Sequence, residues 1–295
     1  MQVFDRNLVR LRRARAAENL GEYDFLHAHI AEDLSFRLMT VAREFPLAVE
    51  IGARSGAFAK TEAMDHIGNL FGMDLVAPTD RTAHRGFIVA DEERLPLKQN
   101  TFDLAVSGMA LHGVNDLPGA LVQIRRALKP DGLFLGCLFG GDTLNELRAS
   151  LTEAEAEVTG GASPHVSPFV DIREAGGLLQ RAGFALPVAD TDTITARYDS
   201  ALHLMADLRG MGEANALTQR RRVPMRRAVI SRALEIYQTR FADPDGRVHA
   251  SFEIVYLSGW SPDSSQQQPL RPGSAKTRMA DAFRVAEQNL KDEQN

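Results

Sequence analysis

Residues 47–51 read LAVEI, and the next five, GARSG, place a glycine at each end of a turn. A short apolar run closed by glycine suits a strand covered on both faces, and a helix is expected straight after it over 57–67. Strand, glycine turn and helix in that order open a nucleotide-binding α/β unit. Glycine lets the backbone approach a ligand closely, and the free N–H groups of a helix start suit an anion.

The rest of the chain repeats the alternation. Strands are expected over 70–75, 87–90, 103–107 and 133–139, apolar throughout. Helices are expected over 117–128, with Pro118 in the first turn, over 142–157, with Asp142 as N-cap, and over 172–182, stopped by Gly183. The tetrapeptide KPDG at 129–132 signals a turn. Farther on, 188–198 and 251–260 read as strands, and 201–209 and 226–241 as helices. The first forty residues read as helical, 159–168 as a loop, and 210–224, with Arg220, Arg221 and Arg222, as a mobile segment. Ser, Gln and Pro dominate from 261, so the tail is expected to be irregular apart from a short amphipathic helix over 276–291. The expected organisation is a helical segment over 1–45, a ligand-binding core over 46–140, a substrate-side region with the remaining strands of the same domain over 141–260, and the tail over 261–295.

Composition excludes several classes. A net charge of −5 gives no basic footprint for nucleic acid. One cysteine, Cys137, permits no internal disulfide and no multi-cysteine zinc site; in its apolar run it reads as a small core residue in a reducing compartment. No stretch is long and apolar enough to span a bilayer, and the N-terminus lacks a secretory apolar region. The cluster Arg6, Arg10, Arg12, Arg13 and Arg15 suits a solvated helix face, an anionic surface or a transit peptide, but Asp5, Glu18, Glu22 and Asp24 speak against the last.

The residues with chemical potential sit where strands end. Glu50 closes the first strand. Asp74 comes 22 positions after Gly52, where an acid can accept hydrogen bonds from ribose hydroxyls. Asp91 follows the third strand, placed to receive the exocyclic amine of adenine. After the fourth come His112, Asn115 and Asp116, on the side of the sheet where ligands sit. His112 suits a general base, a substrate-orienting group or a turn cap.

These segments carry a resemblance. The glycine loop, DEERLPL, NTFDLAVSGMALHGVNDLPGAL and RRALKPDGLFLGCLFGGDTLNELRASL resemble class I S-adenosylmethionine-dependent methyltransferases of the methyltransferase-11 type. Two relatives share the pattern: the malonyl-carrier-protein O-methyltransferase of biotin synthesis, and the fifth assembly-factor family of respiratory complex I, an arginine hydroxylase acting on an iron–sulfur subunit. GGASPHVSPF, DTDTITARY, DLRGMGEAN and QQPLRPGSA are similar to the second.

The resemblance implies a Rossmann-like α/β fold with a mostly parallel seven-stranded sheet and a C-terminal helical cap. It implies S-adenosylmethionine as cofactor, held by Glu50, Gly52, Ala53, Gly56, Asp74, Leu75, Asp91, Glu92 and Ser107. His112 and Glu213 become the catalytic candidates, and Ser163, His165 and Met211 the substrate-side ones. No metal is expected, since no facial triad is visible. The implied partner is a protein substrate, an arginine of a complex I subunit, with peripheral membrane contact through the basic segments. The implied place is the bacterial cytoplasm, or the mitochondrial matrix in a eukaryote.

Two positions depart from the family. Arg54 stands where the loop carries a middle glycine, and Gly113 where an aromatic follows the histidine. Arg54 either closes the pocket for the methionine carboxylate or pairs with that carboxylate. A non-catalytic assembly protein on the same fold therefore stands beside the enzyme as an expectation.

Overall fold

The computed structural model of the protein describes residues 2–80 and 82–267. The chain forms two units, residues 1–263 and 264–295, and every described strand and helix lies in the first. The helix expected over 276–291, and the tail motif beyond residue 267, lie outside the described residues.

Among the described residues seven strands build one sheet: β1 (Phe45–Ile51), β2 (Ile67–Asp74), β3 (Gly86–Val89), β4 (Phe102–Ser107), β5 (Leu128–Phe139), β6 (Ala185–Tyr198) and β7 (Val248–Trp260). Their order is β3-β2-β1-β4-β5-β7-β6, and only β7 runs antiparallel to its neighbours. The described helices are α1 (Arg6–Ala16), α2 (Phe25–Met39), α3 (Leu117–Ala127), α4 (Asn145–Thr159), α5 (Ile172–Ala182), α6 (Ala201–Gly210) and α7 (Arg227–Phe241). One apolar core packs α2, α4, α6 and α7 on one face of the sheet, and a second packs α3 and α5 on the other. This is the expected mostly parallel α/β sheet. Strand order reverses between β1 and β4, where Ile51 lies beside Ser107, and such a switch point opens a crevice beyond the strands' carboxyl ends.

Several local expectations are corrected. No α-helix forms over 57–67; short 3-10 turns occupy Phe58–Lys60 and Glu62–His66, parted by an extended Thr61. The reason is reach. The fifteen residues between Ile51 and Ile67 must return along a seven-residue strand, about 23 Å. A fifteen-residue α-helix covers about that length and leaves nothing for the turns at either end. The 3-10 form rises faster per residue and closes the gap.

Asp142 does not cap α4. The cap position is Leu144, with φ 55, and the Asp142 N–H donates to Glu253 of β7 instead. The KPDG signal does not separate two elements either: β5 starts at Leu128 and carries those residues as a bulge, with Asp131 at φ 59. Residues 211–224 are irregular but anchored rather than loose. Met211 is fully buried, Leu217 bridges Phe4, and Arg220 and Arg221 pair with Asp5 and Glu155. Cys137 is a buried core residue as expected, and burial pushes its thiol up to about 12.

Candidate functional site

The crevice at the switch point is built from the ends of β1, β2, β3 and β4. After Ile51 the chain turns at Gly52, φ 89, and again at Gly56, φ 62. A Cβ on Gly52 would stand 2.4 Å from the Ala110 Cβ and 3.1 Å from the Gly108 carbonyl, so only glycine lets the loops after β1 and β4 meet. Ala53, next in the turn, is fully buried. Glu50 does not face open space: its Oε2 lies 2.7 Å from His84 Nε2, and both side chains are buried.

The acids stand where their spacing put them, and each already has a partner. Asp74, at the end of β2, is fully buried with Arg13 Nη1 3.4 Å and Arg54 Nη1 3.8 Å away. Glu92, also fully buried, takes Arg13 on one oxygen and Arg6 on the other. Asp91 is partly exposed and accepts from Arg6 at 2.6 Å. Burial works against the Arg13 charge, yet Glu92 and Asp74 outweigh it and raise its pKa. Burial likewise works against the Glu92 charge, but Arg13 and Arg6 hold its pKa down; Asp74, farther from its arginines, is left with a raised pKa by burial.

Arg6 and Arg13 are therefore neither a solvated face nor a membrane contact, which corrects the reading of the basic cluster at these two positions; Arg10 and Arg15 remain exposed. They belong to a segment laid across the crevice. The Asn115 Oδ1 accepts from the Val3 and Phe4 N–H groups at 2.7 and 2.8 Å, Asp5 N donates to Ala216 O, and Arg6 also donates to Gly113 O. The family's missing aromatic at Gly113 thus leaves room for Arg6. Sequence did hold a signal: Arg6, Val9 and Arg13 recur at helical spacing, and Val9 is the buried apolar residue between them.

His112 and Glu213 are brought together. His112 Nε2 lies 2.9 Å from Glu213 Oε2, and its ring stacks on Phe139 at 4.5 Å and meets Phe169 edge-on at 6.1 Å. The other Glu213 oxygen accepts from Arg54 Nη2 at 2.9 Å. Burial alone would raise the Glu213 pKa, but His112, Arg54 and Arg13 keep this carboxyl well below the usual carboxylate range. Arg54 also donates to Met211 O and lies 3.3 Å from His27 Nε2. Burial, then the Arg54 charge, pushes His27 down to about 3, so it is neutral. His27 and His84 carried no sequence signal, because each acts from an element that shows its neighbours only once folded.

The other candidates are not gathered here. Met211 offers this site its carbonyl, with its side chain in the core. Ser163 and His165 converge on buried Glu155 of α4 rather than on His112. Leu75 packs with Val9 and Val76, and Ser107 is buried with no partner for its hydroxyl. A cleft of about 540 Å³, lined by Gln2, Val3, Arg148, Val166, Phe169 and Leu217 among others, adjoins the His112 ring through Phe169.

The donor set suits S-adenosylmethionine, since Asp74 Oδ2 and Ser107 Oγ are buried without a hydrogen bond. The space does not. Beneath Gly52 the void is about 10 Å³, and a second, among Arg13, His112, Phe139 and Glu213, is about 40 Å³. Pockets for molecules of this size span roughly 300–1,000 Å³. In this arrangement Arg13 and Arg54 occupy the space beside Asp74, and the crevice is closed around its acids.

A methyltransferase domain family matches residues 49–136. The chain is 39% identical over 292 residues to the Danio rerio protein named arginine-hydroxylase NDUFAF5, mitochondrial, covering 97% of this chain and 91% of that one. It is 34% identical over 222 residues to the malonyl-[acyl-carrier protein] O-methyltransferase of a Methylovorus species, covering 75% and 69%. Among solved structures, a Bacillus halodurans protein classed as a methyltransferase superposes with a TM-score of 0.53 at 15% identity, over 78% of this chain and 99% of that one, a likeness of fold.

Proposed function

Because the chain belongs to the NDUFAF5 family and carries a methyltransferase domain, we propose that it is an S-adenosylmethionine-dependent enzyme acting on a protein side chain, an arginine of a respiratory complex I subunit, during assembly of that complex. The observation that carries this reading is the row of carboxylates Glu50, Asp74, Asp91 and Glu92 at the ends of β1 and β2 and just after β3, beside the His112–Glu213 pair. In that reading Asp74 takes the ribose and Asp91 the adenine. In that reading His112, whose Nε2 faces Glu213 and whose Nδ1 is buried without a hydrogen bond, is the general-base candidate for the substrate guanidinium. The apolar cleft beside Phe169 suits the flanking residues of a protein substrate. A reducing compartment completes the reading: bacterial cytosol, or the matrix in a eukaryote.

Calorimetric titration of S-adenosylmethionine into the protein and into Asp74→Ala tests it. Micromolar binding that the variant loses supports the enzyme, and a mass gain of one methylene or one oxygen on the substrate arginine then separates methylation from hydroxylation. A second reading, a non-catalytic assembly protein, is favoured by Arg13 and Arg54 filling the crevice; absence of binding at millimolar ligand supports it. Growth of a biotin auxotroph carrying this chain would favour the malonyl-ester reaction instead.

A further inference from the structure

The acids that suit the cofactor are the acids that hold the N-terminal segment. Arg13 reaches Asp74 and Glu92, and Arg6 reaches Asp91 and Glu92. We infer that residues 3–16 are a displaceable strap, and that an adenosyl ligand binds this crevice only in exchange for Arg13. The inference rests on the cofactor reading proposed above.

Three observations carry it. First, the strap satisfies the crevice incompletely. Asp74 Oδ2 and the Arg54 Nη1 and Nε atoms are buried without hydrogen bonds, and the Arg54–Asp74 pair is 3.8 Å long. A site built only for closure would leave no such groups unpaired. Second, the attachment is mostly polar. Phe4, Val9 and Ala16 are the buried apolar residues of the segment, and the rest of its hold comes from ion pairs, from Asn115 and from hydrogen bonds with Gly113, Ala216 and Thr218. With few buried apolar side chains, the segment can leave without opening the sheet's cores, provided that a ligand takes up the buried acids it releases. Third, Gln2 and Val3 form a wall of the 540 Å³ cleft, while Phe4, Val9 and Arg13 line the 40 Å³ void at His112. Moving the segment therefore joins the cleft to the buried acids and gives a ligand both space and carboxylates.

The test uses a reversible lock. A Cβ built on Gly212 lies 3.4 Å from the Ala16 Cβ, close to the spacing of a disulfide, and Cys137, the natural cysteine, is buried. In Ala16→Cys/Gly212→Cys the oxidised protein should bind S-adenosylmethionine at least about ten-fold more weakly than the reduced protein, with dithiothreitol restoring it. Gly212 has φ 79, so a wild-type measurement stands beside the variant: amide hydrogen exchange over residues 3–16 should speed up when ligand is added. Ligand bound with unchanged exchange over 3–16, or bound equally by oxidised and reduced variant, overturns the strap and leaves the cofactor reading in place. No binding to the wild type at millimolar ligand overturns both.

Discussion

Arg54 and Glu213 are 159 positions apart in the chain, yet Arg54 Nη2 donates to Glu213 Oε1 over 2.9 Å inside the protein. The pair ties the loop after β1 to the segment after α6, and through Glu213 it fixes His112. Removing Arg54 leaves buried Glu213 with His112 as its remaining close partner and takes one of two arginines from Asp74. Arg54→Met should therefore lower stability by about 3 kcal/mol in urea denaturation, and adding Glu213→Leu should restore part of that loss. A single-variant cost well under 1 kcal/mol would mean the pair is solvated.

Acidification should find Glu155. Burial would raise its carboxyl pKa, but Ser163, His165 and Arg221 overcome this and hold it down to about 2. The folded value lies below the unfolded one, near 4.3. The contribution is thus complete above the unfolded value and fades as pH falls toward the folded one. Glu155→Gln should be less stable at neutral pH and should flatten the stability profile across that window. A profile parallel to the wild type would remove Glu155 as the anchor of the 160–168 loop.

Gly52→Ala pits a methyl group against Ala110. With 2.4 Å between the two Cβ atoms and φ at 89, the loops must part, at a cost of about 1–3 kcal/mol. Pairing it with Ala110→Gly removes the clash but not the backbone strain, so the double variant should recover part of the loss. Full recovery would show that φ is not a constraint here.

Asn115→Ala removes the acceptor shared by the Val3 and Phe4 N–H groups. Hydrogen exchange should lose protection first at residues 3–8, while the global unfolding midpoint moves less. Uniform loss across the sheet would mean that the segment and the sheet open as one unit.

The sequence announced the strand ends well, because apolar runs between turn signals fix where a parallel strand stops and which side chains follow it. Asp74, Asp91 and Glu92 could be placed on that ground alone, and the helix stop at Gly183 holds with φ 85. What neutralises those acids was not legible. Arg6 and Arg13 lie more than sixty positions upstream of Asp74 and Glu92, and nothing local distinguishes them from Arg10 or Arg15 except the face shared with Val9. The helix expected over 57–67 failed for a different reason: periodicity is blind to distance, and that connection is set by how far it must travel. Ser163 and His165 stand out because the loop that holds them is distinctive, whereas Glu155, their partner in the fold, sits unremarked in a helix.

The anchoring of the first residues also bears on how the chain assembles. Gln2 and Val3 take hydrogen bonds from Thr218, 216 and 215 positions away, and Arg13 waits for Asp74 and Glu92. Contacts so distant in sequence form late, since the intervening chain must first be ordered. During synthesis residues 2–16 precede the sheet and the stretch beyond α6, and they can be enclosed only after those exist. Their docking therefore completes the fold, and a chain cut short before residue 216 would hold its buried acids open to water.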